Sequence, residues 1–344
     1  MISISSSLSL GLIVSRPFHY VPYGESAPAG KLSLSCDGKV TGTALDLTHW
    51  TNNETPEDLY ADTSTGIALN MARARIERGE YSEYDDALVV NNHYDSDGVL
   101  SVFACTNPTS ALAMAPLLIA GAEAGDFGEW STDNGVKLDS ALCNLCTADD
   151  DEGYAGALRA LPALLDDLEA TGGAAHEQLW ADGWAAAVAS WEALQSGKAE
   201  LTRASGSRIG VLVQPPVLHD MPRVQSAALH RQLAALGMCG RAEGTKACTR
   251  VLRVEADPRE RRWRYEYEKP GHGWVARLVE RQPVPSADGA ELAGRLSEQL
   301  GGSWVKGGNG GLVSICKTAG WVETPPEEVV AALVEADEGA MKGL

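Results

Sequence analysis

The sequence is poor in positive charge. Its 344 residues hold 28 Lys and Arg against 47 Asp and Glu, a formal net charge of −19. A field of that sign repels long nucleic acid and anionic lipid, so a polyanionic substrate must be held locally or through metal ions. Long apolar runs are also missing. The longest, Ala111 to Ala122, is too short to span a bilayer. The N-terminal MISISSSLSLGLIVSR has no basic residue ahead of its apolar stretch and its first Arg, Arg16, behind it, the reverse of an export signal. It reads as a leader to a first strand. Seven scattered Cys make no disulfide framework, and a reducing cytoplasm is the expected location. G-x-S-x-G, a Walker loop and a dinucleotide fingerprint are all absent, as is any internal repeat.

What is present is an ordinary globular composition, 44% hydrophobic and 22% charged, in a chain long enough for two domains. From Leu45 to about Leu194, strand-like and helix-like apolar periods alternate, which predicts an α/β domain with its site at the strand ends. ADTSTGIALNMARARIERG reads as a capped helix, and VLSVFACTNPTSALAMAPLLIAGAEAG as helical material broken at a Pro-containing turn. A Ser/Gly cluster (Ser205, Gly206, Ser207) marks a boundary, giving domains 1–204 and 205–344. In the second, RIGVLVQPP, RVLRVEA, RRWRYEYEK and GWVARLVERQ read as short strands. Helices near Val224–Leu236 and Gly289–Leu300 complete a smaller α+β domain. Trp263, Tyr265 and Tyr267 alternate with charges as on a half-buried strand. Arg250, Arg253, Arg259, Arg261, Arg262, Arg264, Arg277 and Arg281 make this region locally basic.

The most informative segment is ALVVNNHYDSDGVLS, Ala87 to Ser101. Four apolar residues suggest a buried strand. His93, Asp95 and Asp97 then alternate, which on extended backbone points all three side chains one way. Carboxylates and imidazole packed so closely repel unless protonated or neutralised, and such a donor set suits Mn²⁺, Mg²⁺ or Fe²⁺. The same residues also suit a polar turn with Asp97 as a helix cap. Two weaker signals read as packing or surface: Cys143 and Cys146 sit one helical turn apart, and His219 with Asp220 falls in a loop.

His93, Asp95, Asp97, Gly98 and Ser101 together resemble the H/D-x-D-x-D-G-x-x-S motif of the DHH phosphoesterase superfamily. A second segment, ALDLTHWTNNETPEDLYADTSTGIALNMA, resembles the family's name-giving Asp-His-His strand end. Asp46 and His49 stand for the Asp and a metal-facing His, while Asp62, Thr63, Ser64 and Thr65 open the following helix. Leu47 and Thr48 intervene between that Asp and His, and this segment precedes the D-x-D-G motif instead of following it. Asp126 resembles a later metal-binding Asp. The resemblance implies a DHH-like sheet domain and one or two Mn²⁺-like ions on Asp46, His49, His93, Asp95, Asp97 and Asp126. Asp46, His49 and Asp97 would be catalytic, and Asn92, Ser101, Gly308 and Asn309 would meet substrate, the last two in the Gly-rich GGSWVKGGNGGLVSIC. The activity it implies is hydrolysis of a phosphoester or phosphoanhydride in a small phosphorylated metabolite or short nucleotide. A metal enzyme acting on a non-phosphate substrate and a non-catalytic metal- or ligand-binding protein remain the alternatives. The ligand-bearing motifs all precede Glu152 and the clustered Arg follow Ser205, so chemistry and substrate recognition are expected in different domains. Oligomeric state is not legible.

Overall fold

The computed structural model describes residues 16–146, 148, 150–217, 223–257, 259–308 and 313–341. Those residues form a mixed α/β structure with two sheets and ten α-helices. The first sheet comprises β1 (Phe18–Tyr20), β2 (Ser33–Cys36), β3 (Leu45–Leu47) and β4 (Leu88–Asn91). Its order is β1-β4-β2-β3 and every pairing is parallel. Each residue of β2, β3 and β4 is buried, as expected of parallel strands covered on both faces.

Helix α1 (Ser64–Arg78) crosses from β3 to β4. Thr63 caps it by accepting from the Gly66 amide at 3.1 Å, Arg75 and Arg78 sit in its last turn, and Gly79 ends it at φ 71°. The D-S-D-G segment opens α2 (Ser96–Thr106), a helix buried along its whole length and capped by Asp95. Gly98 is required there by crowding. A Cβ would stand 2.6 Å from Asn91 Nδ2 and 2.9 Å from the Tyr154 hydroxyl. The Asn107–Pro108 break separates α2 from α3 (Pro108–Ala113), and α4 (Ala115–Phe127) follows. Then come α5 (Asp133–Leu145), α6 (Asp151–Thr171) and α7 (Glu177–Gln195). One apolar core runs from Leu34 through Phe103 and Tyr154 to Trp180.

The second sheet follows. Its members are β5 (Glu200–Arg203), β6 (Ile209–Gln214), β7 (Arg250–Asp257), β8 (Arg262–Glu268), β9 (Trp304–Lys306) and β10 (Ser314–Thr318). The order is β5-β6-β7-β8-β10-β9, with only β6 and β7 parallel. Helices α8 (Ser226–Ala235), α9 (Gly289–Leu300) and α10 (Pro326–Met341) complete this half. A separate core spans Ile209, Leu252, Tyr265, Tyr267, Leu296 and Leu333. No described helix is long and apolar enough to cross a membrane.

Two readings change. GWVARLVERQ is not a strand: it begins in a 3-10 turn (Gly271–Trp274) and continues as an irregular arm. The arm's amides go elsewhere, those of Val279 and Glu280 to the Asp62 carboxylate and that of Gln282 to the Gly240 carbonyl. Cys143 and Cys146 are exposed instead of packed, because the buried face of α5 is carried by Val136, Leu138, Ala141 and Leu142. His219 and Asp220 lie outside the described residues.

Candidate metal centre

Three neighbouring parallel strands end at one place. Asp37 directly follows β2, His49 lies two residues beyond β3, and His93 lies two residues beyond β4. Carboxyl ends of parallel strands are where open α/β sheets build sites. The start of α2 adds Asp95 and Asp97, and the last turn of α4 adds Asp126.

These side chains form two groups whose ligand atoms lie within 4.8 Å of one another. One is Asp37, His49, Asp97 and Asp126; the other is Asp37, His93 and Asp95. Asp37 belongs to both. Its Oδ1 is 3.6 Å from His49 Nε2 and its Oδ2 is 2.9 Å from His93 Nε2. His49 Nε2 also stands 3.1 Å from Asp126 Oδ2 and 3.7 Å from Asp97 Oδ2, while His93 Nε2 is 3.1 Å from Asp95 Oδ2.

Hydrogen bonds behind the centre decide which imidazole nitrogen faces it. His49 Nδ1 meets the Asp62 carbonyl at 2.6 Å; a carbonyl only accepts, so Nδ1 carries a proton and Nε2 is the nitrogen left to face the carboxylates, whose own proton a cation would replace. Asn92 Nδ2 donates to the Lys39 carbonyl, which turns its Oδ1 toward His93 Nδ1 at 2.9 Å and places a proton there too; Nε2, between the Asp37 and Asp95 carboxylates, is the nitrogen whose proton a cation would replace. Asp97 is held by the amides of Ser64 and Thr65, both at 2.7 Å, at the N-terminus of α1. Ser64 Oγ donates to Asp37 Oδ1 at 2.7 Å.

Four carboxylates meet two imidazoles in a largely buried space. Burial opposes charge on His49, yet the adjoining Asp126, Asp97 and Asp37 push its pKa up to about 10. His93 is likewise pushed up to about 11 against burial, by Asp37 and Asp95. Burial and the Asp37 charge raise Asp97 to about 6, and burial together with Asp97 and Asp95 raises Asp126. Such a set demands positive charge, from protons or from a cation. His49 Nε2 is fully buried, close to three carboxylates, and in hydrogen-bonding geometry with none. An oxygen-rich set with two imidazoles aimed by their outer nitrogens fits a divalent cation.

Five of the six ligands expected from the sequence therefore converge: His49, His93, Asp95, Asp97 and Asp126. They do not meet as expected. Asp97 is helical, not extended, so it joins His49 while His93 and Asp95 form the other group. Asp46 belongs to neither group. It lies within β3 instead of beyond its end, and it accepts from Ser35 Oγ at 2.9 Å and from the Glu54 amide at 3.1 Å, bracing the loop that leads to α1. The carboxylate at the middle of the centre, Asp37, escaped the reading. Its signal was the pair Asp37-Gly38 after the short strand SLSC, the same Asp-Gly signature as Asp97-Gly98.

The centre opens on a cleft of about 740 Å³. His93, Asp95, Asp126 and Trp50 line it from the first half of the chain, and Arg223, Glu266, Glu268, Trp274, Gly308 and Lys317 from the second. Of the residues expected at substrate, Gly308 lines this cleft and Asn309 lies outside the described residues. Asn92 is buried and occupied with His93, and buried Ser101 donates to the Gly98 carbonyl within α2. The two Trp were missed, being aromatics with no motif around them.

The clustered Arg residues are largely committed. Arg250 donates to the Thr249 and Pro285 carbonyls, and Arg253 pairs with Glu268 at 2.6 Å. Arg281 leaves the C-terminal half and is buried against Asp62, Glu123 and Glu129 at 2.7–2.8 Å. Arg241 joins it on Glu123 and Glu129. Arg281 and Arg241 fasten the two halves together, and Arg250 and Arg253 are spent within the C-terminal half.

The model of a family of unknown function (DUF6687) matches residues 16–324. No curated protein matches the sequence. Among solved structures, the one described as "pGpG-specific phosphodiesterase - PggH from Vibrio cholrae" aligns over 89% of this chain and 84% of its own, at 10% identity and a TM-score of 0.38. A likeness of that size establishes neither a shared fold nor a shared chemistry.

Proposed function

The chain belongs to this family of unknown function, and from its residues we propose that it is a divalent-metal-dependent hydrolase acting on a phosphoester or phosphoanhydride of a small phosphorylated metabolite or short nucleotide. The observation that carries the reading is the pair of ligand groups sharing Asp37 at the edge of a cleft also lined by Lys317 and Arg223. Two divalent ions, of which Mn²⁺ suits the donors, would supply Lewis acidity toward a phosphoryl oxygen and acidify a water. The protein's own residues do the rest. Asp37, with one oxygen toward each histidine, sets the spacing of the two groups. Asp62 and Asn92 each hold an Nδ1 proton, which leaves both Nε2 atoms to face the ions. His93 and Asp95, with Asp37, offer only three ligands, which leaves room on the cleft side for water and substrate.

Recognition falls to the rest of the cleft lining. Lys317 is exposed in the cleft, across the strand pair from Glu266, and its ammonium can reach an anion there. Arg223 is partly neutralised by Glu266 and Glu268. Trp50 and Trp274 offer flat apolar surface to a planar group. This division of labour supports a two-domain reading in which β5, ahead of Ser205, already belongs to the second sheet.

The test follows products with Mn²⁺ from a panel of nucleotides, sugar phosphates and dinucleotides, with inorganic phosphate measured for monoesters and anhydrides and mononucleotides resolved by chromatography for diesters. Turnover of at least one, abolished by chelator and by Asp37→Asn, is expected. If metal-loaded protein forms no hydrolysis product from any member of the panel, phosphohydrolase activity is wrong.

A further inference from the structure

Granting that His49 Nε2 is a metal ligand, we infer that Arg281 is a positioning residue for that ligand, acting through Asp62. Asp62 serves both sides of the centre's outer wall. Its backbone carbonyl accepts from His49 Nδ1 at 2.6 Å, which aims the ring, and its carboxylate is gripped by the irregular arm. The grip is threefold: Arg281 Nη1 reaches Oδ2 at 2.7 Å, and the amides of Val279 and Glu280 donate to the same carboxylate. Arg281 is 1% exposed at its side chain and Asp62 4%, so neither is free to shift into solvent. The arm also carries Trp274, whose ring meets the His49 ring edge-on with centroids 4.7 Å apart. His49 is therefore oriented from behind and packed from the side by one segment of the C-terminal half.

A merely structural Arg281 would act as Arg241 does. Arg241 belongs to the same ionic cluster, pairing with Glu123, Glu129 and Glu280, but makes no contact with Asp62. Comparing the two separates ligand positioning from fastening. Outer-sphere partners of metal-bound histidine are worth roughly 10- to 100-fold in metal affinity.

The experiment uses the full chain as Arg281→Met and Arg241→Met, each confirmed folded by circular dichroism, in two measurements. The first titrates Mn²⁺ alone by calorimetry. Arg281→Met should weaken one of the two ions about tenfold or more and leave the other within about twofold, and Arg241→Met should leave both within that margin. The second records ¹⁵N-histidine spectra without metal, with the His49 signals assigned through His49→Asn. The protected Nδ1–H signal should be lost in Arg281→Met and kept in Arg241→Met. Should Arg281→Met not fold, Asp62→Asn replaces it, since that change keeps the carbonyl and weakens the grip. An unchanged Nδ1–H signal with an unchanged titration in a folded Arg281 variant, or equal effects from Arg241→Met, overturns the inference. If the wild type takes up no Mn²⁺, the hydrolase reading falls, and the metal-free spectra still decide the role of Arg281.

Discussion

Asp37 carries more of the proposed chemistry than any other side chain, because each ligand group is incomplete without it. Its substitution should therefore differ in kind from that of its neighbours. Asp37→Asn is expected to remove both ions, whereas Asp95→Asn should remove one and leave the His49 group filled; metal per protein, counted by elemental analysis after desalting, checks this. Equal stoichiometry in the two variants would refute the bridging role. At this scale the sequence was partly legible. His93, Asp95 and Asp97 stood out because like charges rarely crowd without a reason, but side-chain direction was read for a strand, and Asp97 sits in the first turn of a helix. Asp46 enters through the resemblance of its segment to an Asp-His-His strand end. What separates it from Asp37 is position relative to the strand end, which a three-residue strand such as β3 does not reveal in one dimension.

At the scale of elements, the centre depends on how tightly α2 seats against β4. Gly98 lies in the first turn of α2, and an Ala there would raise helix propensity by about 1 kcal/mol in an open helix. Here its methyl would meet the Asn91 amide and the Tyr154 hydroxyl, which already hydrogen-bond to each other at 2.7 Å. We expect Gly98→Ala to destabilise by about 1–3 kcal/mol, a reversed sign, measured by urea unfolding. A stabilised variant would mean that α2 has slack. The helices α1, α2, α4, α8 and α9 were readable from caps and periodicity, as was the Pro108 break. The strand order β1-β4-β2-β3 was not, because it depends on which crossovers pack and leaves no local trace. The arm after Trp274 misled for a related reason: its apolar alternation is real, but its amides are spent on Asp62 and Gly240 instead of a neighbouring strand.

Across the whole molecule, the two halves are joined by charge. Glu129 receives Arg281 and Arg241, with His230 and His272 nearby, and although burial opposes its charge, Arg281 and His272 hold its carboxyl well below the usual value of 4.5. A depressed carboxyl contributes stability above its unfolded pKa and loses it as pH falls. Removing one partner of a buried ion network costs about 3 kcal/mol or more. Glu129→Gln should thus be less stable than wild type at pH 7, and the gap between their urea midpoints should narrow as pH drops below about 4.5. A gap that stays constant from pH 7 to 4 would show that the charge on Glu129 is immaterial. The sequence did announce a basic C-terminal region, but not its use: whether an Arg waits for substrate or closes on carboxylates of another element depends on contacts more than 150 residues apart, such as Arg281 with Glu129.

The aromatic neighbours of the two histidines give the centre a built-in optical signal. Trp274 lies 4.7 Å from His49, in one ligand group, and Trp50 lies 5.1 Å from His93, in the other. An imidazolium quenches the emission of an indole it touches, and a ring that gives up its proton to a cation ceases to do so. Each group is thereby paired with its own lamp. Mn²⁺ is itself a paramagnetic quencher and Mg²⁺ binds imidazole poorly, so diamagnetic Zn²⁺ is the cleaner probe: its addition should brighten the protein in two steps, one missing from Trp274→Phe and the other from Trp50→Phe, which would make the order of filling visible without any label.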